Sequence, residues 1–490
     1  MNIFASTIGS PFEARKPITA RTTNGMRART TTSNAAVDLF GSIGAMRGKD
    51  VIPAFAAAYA ENKDYALRIA QWARDIRGGQ GERQIYRDIL KWLEKNDRQI
   101  LLDSNLLDNV TNLGRFDDLL IFTDAEVKRK AYGIIAKALD AGNGLAAKWM
   151  PRKGPIAVEL RNTFGLTPKQ YRKILVELTN VVETQMCAKE WNEINFSHVP
   201  SVAMSRYLTA FHRNAPEAME AYKAALTRND GTAKVNASAV YPYDVTKILG
   251  GARDMSSGYG YSYYGQGELD ASKLPIAQAM WDALPDYMND ANVLAVCDNS
   301  GSMQAQVPGS QTSMLDVACS LTMYTAQKSK GAFKNLSINF SERAAFCQHS
   351  GSLLDRMKQV CSMPWGSTNL HSVYDLILNH ARANNVPQED MPKLIVIFSD
   401  MQFNADYRSD GTASDVMRRK YEDAGYETPI VVYWNLNEKG NKPVKFNDQG
   451  MALVSGFSPA TMKAILAADT SKFSPKGIML ATIGSDRYNW

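Results

Sequence analysis

The sequence predicts two architectures in series, an irregular α-helical solenoid followed by a doubly wound α/β domain. From about Ala36 to Ala252, apolar residues recur at three- and four-residue spacing with few β-branched runs. From residue 291, apolar runs of strand length alternate with helical stretches. Between the two halves lies a low-complexity Tyr/Gly-rich stretch, Ser256 to Gly267. The boundaries that follow are a basic arm at 1–35, a helical domain at 36–255, a linker with a bridging helix at 256–290, and an α/β domain at 291–490.

In the helical half, Phe55 to Ala60, Tyr65 to Ala73, Gln84 to Leu93, Glu126 to Leu139, Pro168 to Leu178 and Ala215 to Leu226 are amphipathic. Short breaks separate them, such as Gly78-Gly79-Gln80-Gly81. Helix pairs without a fixed sequence period fit a solenoid; a compact all-α bundle is the other solution. A helix at 274–288 bridges to the second half. There, strands are expected near 293–297, 336–340, 344–347, 393–398, 429–434 and 451–454. Helices are expected near 313–330, 352–361, 369–383, 412–424 and 459–467.

A chain of 490 residues suffices for two or three domains, each with its own core. Hydrophobic content of 45% and charged content of 22% are ordinary for a globular protein. No apolar run approaches the length of a membrane span. Five cysteines without metal or framework spacing read as reduced, mostly buried thiols in a cytoplasmic setting. The net charge of +6 permits nucleic-acid binding without arguing for it. Residues 1–35 concentrate Arg15, Lys16, Arg21, Arg27 and Arg29, with no acid between Glu13 and Asp38. This arm either neutralises phosphates or packs across the protein.

The chemistry-bearing stretch is Val293 to Met303 (VLAVCDNSGSM). An apolar strand breaks into a loop that places Asp298, Ser300 and Ser302 on alternate positions. A carboxylate and two hydroxyls at the carboxyl end of a strand suit a hard cation such as Mg²⁺, and Gly301 lets the loop turn tightly. A hydrogen-bonded turn without metal is the plainer reading. The pattern resembles the metal-ion-dependent adhesion site of von Willebrand factor A domains, D-x-S-x-S. That resemblance implies a distant Thr and Asp, matched by Thr368 in WGSTN and by Asp400 at the end of LIVIFSD. It implies direct ligation by Ser300, Ser302 and either Thr368 or a water it holds. Asp298 and Asp400 would orient coordinated waters, and a partner protein's carboxylate would take an open position. Docking rather than catalysis is expected, and His198, His212 and His371 have no partner at catalytic or metal spacing.

Basic residues cluster twice in the helical half. Arg74, Arg77, Arg83 and Arg87 surround the Gly-rich break, where backbone amides and guanidinium groups suit phosphate. Lys148, Arg152, Lys153, Arg161, Lys169, Arg172 and Lys173 form a second run interrupted by Trp149 and Tyr171, the mixture of cations and aromatics that single-stranded RNA requires. A solvated helix face with Trp149 in the core is the alternative. Several phrases resemble the TROVE family of Ro ring proteins and their bacterial and phage relatives: RDIRGGQGER (74–83), LGRFDDL (113–119), KWMPRK (148–153), LTPKQYRK (166–173), MCAKEW (186–191) and VPSVAM (199–204). The resemblance implies a ring of HEAT-like repeats closed by an A domain. It implies binding of small non-coding RNA or of the single-stranded ends of misfolded RNA, and partnership with RNA-processing enzymes. A metal-dependent protein scaffold, serving a AAA+ motor or a virion without any RNA, is the competing reading.

Overall fold

In the computed structural model the described residues are 19–179, 181–228, 230–237, 240–250, 271–362, 366–405, 411–467 and 473–490. Residues 1–18 of the basic arm and the Tyr/Gly-rich stretch 256–267 lie outside them.

The second half is a six-stranded sheet of order β5-β4-β3-β6-β7-β8. Its strands are β3 Leu294–Asp298, β4 Leu336–Phe340, β5 Ala344–Gln348, β6 Leu394–Ser399, β7 Ile430–Asn435 and β8 Met451–Ser455. All neighbours are parallel except β4 and β5. The central strands are apolar throughout because helices cover both faces. Leu294, Val296, Ile395, Ile397, Val431 and Tyr433 pack on one side with helices His371–Ala383 and Ala413–Ala424. Ala295, Cys297, Val396, Phe398, Val432 and Trp434 face the other way, in alternate register. Strand order reverses at β3, so the carboxyl ends of β3 and β6 form the crevice where doubly wound sheets bind ligands.

The second face of the sheet shares one continuous core with the helical half, reaching Trp72, Leu90, Ile135, Leu175 and Phe211. The two halves therefore do not hold separate cores, as a linker at 256–290 would suggest. The bridging helix is shorter than expected, Leu274–Asp282. From Thr19 onward the expected arm is a packed hairpin, β1 Thr19–Arg21 with β2 Arg27–Arg29. Arg29 and Lys442 exchange backbone hydrogen bonds of 2.9 Å. Helix Ala35–Ile43, capped by Asn34, then runs against the edge strand β8. A Cβ on Gly44 would stand 2.7 Å from the Ser455 carbonyl oxygen, so this approach requires glycine and covers the sheet edge.

The stretch Arg74 to Glu82 joins these parts. Arg74 is 1% exposed and paired to Asp118 at 2.7 Å. Asp75 receives Arg487 through two hydrogen bonds of 2.5 and 2.8 Å, and the Tyr488 hydroxyl at 3.2 Å. Gln80 donates to Thr461 Oγ1 and accepts from the Phe457 N–H. Glu82 accepts two hydrogen bonds from Arg47. Gly79 lies so close to the Trp72 carbonyl that a Cβ would sit 1.8 Å from it. Gly81 adopts φ 68°, with room for no Cβ beside the Tyr241 hydroxyl. The chain's last residues thus close onto the helical half, where Trp490 Nε1 donates to Asp64.

Burial works against the Asp75 carboxylate, but the Arg487 hydrogen bonds, the Arg77 and Gly78 backbone N–H groups and the Arg487 charge together outweigh it and hold its pKa below the ordinary 3.8. A depressed acid contributes stability above its unfolded pKa and loses it as pH falls through the folded one. Substituting R487A leaves the Asp75 charge buried without its partner and should cost about 2–3 kcal/mol at pH 7. The difference from wild type should shrink on acidification below about pH 4, where the carboxylate takes up a proton. Urea melts at pH 7 and pH 3.5 test both statements; an R487A protein as stable as wild type at pH 7 would refute them.

Candidate functional site

The loop after β3 turns back on itself through its own side chains. Asp298 is fully buried; Oδ1 accepts the Ser300 N–H at 2.9 Å and Oδ2 accepts the Ser399 hydroxyl at 2.5 Å. The hydroxyls of Ser300 and Ser302 lie 3.2 Å apart. Gly301 donates its N–H to the Gly366 carbonyl at 3.1 Å, bringing the loop that leads to Thr368 alongside. Thr368 is tied to the segment after β6, donating its N–H to Asn404 Oδ1 and accepting the Asn404 N–H at its carbonyl. Asp400, 1% exposed, directly follows β6, close enough for its charge to act on Asp298. The next residue, Met401, is held at φ 63°, a left-handed conformation that costs a side-chain-bearing residue of order 1–2 kcal/mol.

The structure therefore gathers Asp298, Ser300 and Ser302 on one loop at the carboxyl edge of the sheet, with Asp400 and Thr368 on the neighbouring loops. Burial, and next the nearby Asp400 charge, push the Asp298 carboxyl up to about 7, against hydrogen bonds from Ser399 and Ser300. Two side chains invisible to sequence reasoning also reach the site. Lys439 Nζ stands 2.8 Å from Asp400 Oδ2. Asn24, in the turn of the hairpin, donates to Thr368 Oγ1 at 3.2 Å and to the Gln402 carbonyl at 2.6 Å. Neither carries a local signal, since their partners are 39 and 344 residues away.

The basic clusters separate into internal and external residues. Arg74 is buried in its ion pair, and Arg87 binds Asp117 and Asp118, so neither holds phosphate; buried carboxylates have claimed them. Arg77 and Arg83 stay exposed. Trp149 does not offer a free ring, because the Arg115 guanidinium stacks on it at 3.6 Å and is pinned by Asp117. Tyr171 is 3% exposed and donates its hydroxyl to the Pro151 carbonyl. The expectation that these aromatics stack on bases is thereby corrected.

The second cluster forms a groove. Helix Pro155–Thr163 opens at Gly154 and Pro155, and helix Pro168–Leu178 is capped by Thr167 and Gln170. Their ends converge on a cavity of about 480 Å³ lined by Arg152, Lys153, Arg161, Lys169 and Arg172, with Ala157, Tyr171 and Leu175 on its floor. No acidic side chain lines it. Lys173 lies on the same helix, 3.6 Å from Glu177, and Lys148 lines a separate cavity with Glu183 and Glu193. Among the described residues no helix is long and apolar enough to cross a membrane.

Asp298 generates a stability prediction. A raised acid binds its proton in the folded state first, so stability falls as pH rises from about 4 to about 7 and stays low above. In a chelating buffer, D298N should exceed wild type by roughly 2–4 kcal/mol at pH 8 and match it only below about pH 4, where the carboxyl is protonated folded and unfolded. Equal denaturation midpoints at pH 8 would contradict this.

Comparison with known proteins follows the two halves. The family described as "Domain of unknown function (DUF2828)" matches residues 22–113 and 135–294, and the family described as "Domain of unknown function (DUF7788)" matches residues 292–479. A protein of Acanthamoeba polyphaga mimivirus, "Uncharacterized protein L728", is 30% identical over 521 residues, covering 94% of this chain and 86% of its own length. The crystal structure of the Deinococcus radiodurans RO (RSR) protein aligns over 88% of this chain and 90% of its own, with a TM-score of 0.39 and 14% identity. A likeness of that degree assigns nothing to this chain.

Proposed function

The chain belongs to the DUF2828 family, whose description names no activity, and from its own surfaces we propose an RNA-binding protein of Ro type that acts without catalysis. The observation that carries the proposal is the groove of five cations with no acid in its lining. None of the five forms an ion pair among the described residues. Concentrated, uncompensated positive charge in a concavity is the footprint of a polyanion. The phrases that resemble the TROVE family point to RNA as that polyanion. With Trp149 and Tyr171 engaged internally, the groove holds the phosphate backbone and leaves the bases unread.

The sheet-edge site supports a second, compatible part: a cation-dependent docking point for a protein partner. The donor set suits a hard cation, with two adjacent hydroxyls and two buried carboxylates, one of which, Asp400, is ion-paired to Lys439 and also feels the Lys49 charge. Ser300, Ser302 and Thr368 would hold it, and Asp298 and Asp400 would orient its waters. Bound Mg²⁺ would supply a position for a partner's carboxylate. The chain's own contribution is to fix these oxygens: Ser399 and the Ser300 N–H orient Asp298, and Asn404 places Thr368. A carboxylate-bearing partner, such as an RNA-processing enzyme, fits this docking role. A scaffold without RNA would keep this site and have no use for the groove.

Fluorescence anisotropy with a structured RNA tests the groove. Charge reversal at Arg152, Lys169 and Arg172 together should weaken binding tenfold or more at 50 mM salt. The slope of log K against log salt, near −4 if all five cations engage a duplex, should flatten by about 3. Unchanged affinity at low salt would remove the groove from the proposal, and absence of binding by wild type would end the RNA reading.

A further inference from the structure

Two members of the sheet-edge site are engaged by side chains from elsewhere in the chain. Lys439 lies 2.8 Å from Asp400 Oδ2, while Asp400 Oδ1 accepts the Gln402 N–H at 3.2 Å. The lysine is carried on the turn after β7, and that turn is anchored. Glu438 accepts from Asn435 at 3.0 Å and from Lys442 at 2.8 Å. Lys49 binds Asn437 and the Glu438 carbonyl. Lys439 itself keeps a third of its side chain exposed, whereas the Asp400 carboxylate has none. On the other side Asn24 donates to Thr368 Oγ1. Its turn is fixed by Thr22 on the Phe403 carbonyl at 2.6 Å and by Thr23 on Gln402 at 2.7 Å. Among the described residues, Asp298, Ser300 and Ser302 bond to one another and to Ser399 through their side-chain oxygens.

One carboxylate does not serve an ammonium and a divalent ion at full strength, because the two cations repel at a few ångströms and draw on the same lone pairs. We propose that Lys439 is a tethered counter-ion that competes with a divalent cation for Asp400 and so sets the cation affinity of the site, while Asn24 latches Thr368. The inference rests on the cation reading given above. It differs from a structural ion pair in what removal of the lysine does: a structural pair leaves cation affinity unchanged or lower, a competitor raises it. For the cation to gain Asp400 fully, the exposed Lys439 head swings into solvent while the Glu438 anchor keeps the turn in place.

The test is Mn²⁺ binding to the full chain, followed by electron paramagnetic resonance, for wild type, K439M, K439R and D298A. K439M should bind Mn²⁺ at least tenfold more tightly than wild type, K439R should stay within threefold of it, and D298A should lose binding. Wild-type binding that depends on Asp298 and is as tight as, or tighter than, that of K439M overturns the inference and leaves the cation reading standing. No Mn²⁺ binding by either wild type or K439M overturns both. Because K439M uncovers a buried carboxylate, thermal melts with chelator and with Mn²⁺ accompany the titration. The Mn²⁺-induced rise in Tm should be larger in K439M than in wild type; a rise no larger counts against competition.

Discussion

The structure depends on the pairing of consecutive residues Arg74 and Asp75 in opposite directions. Arg74 turns inward to Asp118 within the helical half, and Asp75 turns to Arg487 and Tyr488 at the far end of the chain. Each charge is buried or nearly so, and each is stable there only because its partner is present. Around this pair the backbone is compressed to the point where Gly79 and Gly81 have no substitute. Gln80 and Glu82 then reach the loop after β8 and the loop after helix Ala35–Ile43. A ten-residue phrase thus ties the beginning, middle and end of the chain.

That joint decides which of the chain's cations are available to a ligand. Arg74, Arg87, Arg115, Arg47 and Arg487 are all consumed by carboxylates at or near it. The cations at 152, 153, 161, 169 and 172 lie beyond it, on two short helices and the loop that leads into the first, and keep their charge for solvent or a polyanion. A net charge of +6 spread evenly would be unremarkable in its field. Internal neutralisation of one cluster leaves the excess concentrated in the other.

Much of the α/β half was legible in the sequence, because buried strands carry near-continuous apolar runs and the turns between them are sharp. The six expected strands match the observed ones to within a residue or so at each end, and Asp298 falls where β3 ends. The helical half was legible as helices but not as an assembly. Periodicity reports that a face is buried, not against what, so the shared core and the hairpin on the segments after β6 and β7 left no trace in the sequence. Basic runs misled for a related reason. A guanidinium destined for Asp118 and one destined for solvent look alike when the partner is 44 residues away, as Arg74 and Arg172 show. Lys439 and Asn24 were missed at the site for the same cause.

The sheet-edge site is at odds with the rest of the fold. At the joint the buried Asp118 carboxylate is held by two guanidinium groups, those of Arg74 and Arg87. Here two buried carboxylates lie together with only Asp400 ion-paired among the described residues, to a Lys439 side chain one third exposed, and the residue after Asp400 is held in the left-handed region. A core selected for stability alone would replace Asp298 by a neutral residue, since its charge is disfavoured by burial and by Asp400. Two features make the deficit useful. The hydroxyls of Ser300 and Ser302 face each other at the same edge, and Lys439 is exposed enough to leave. Buried negative charge, oxygen donors and a partly exposed counter-ion are the three features from which the proposed cation site is argued.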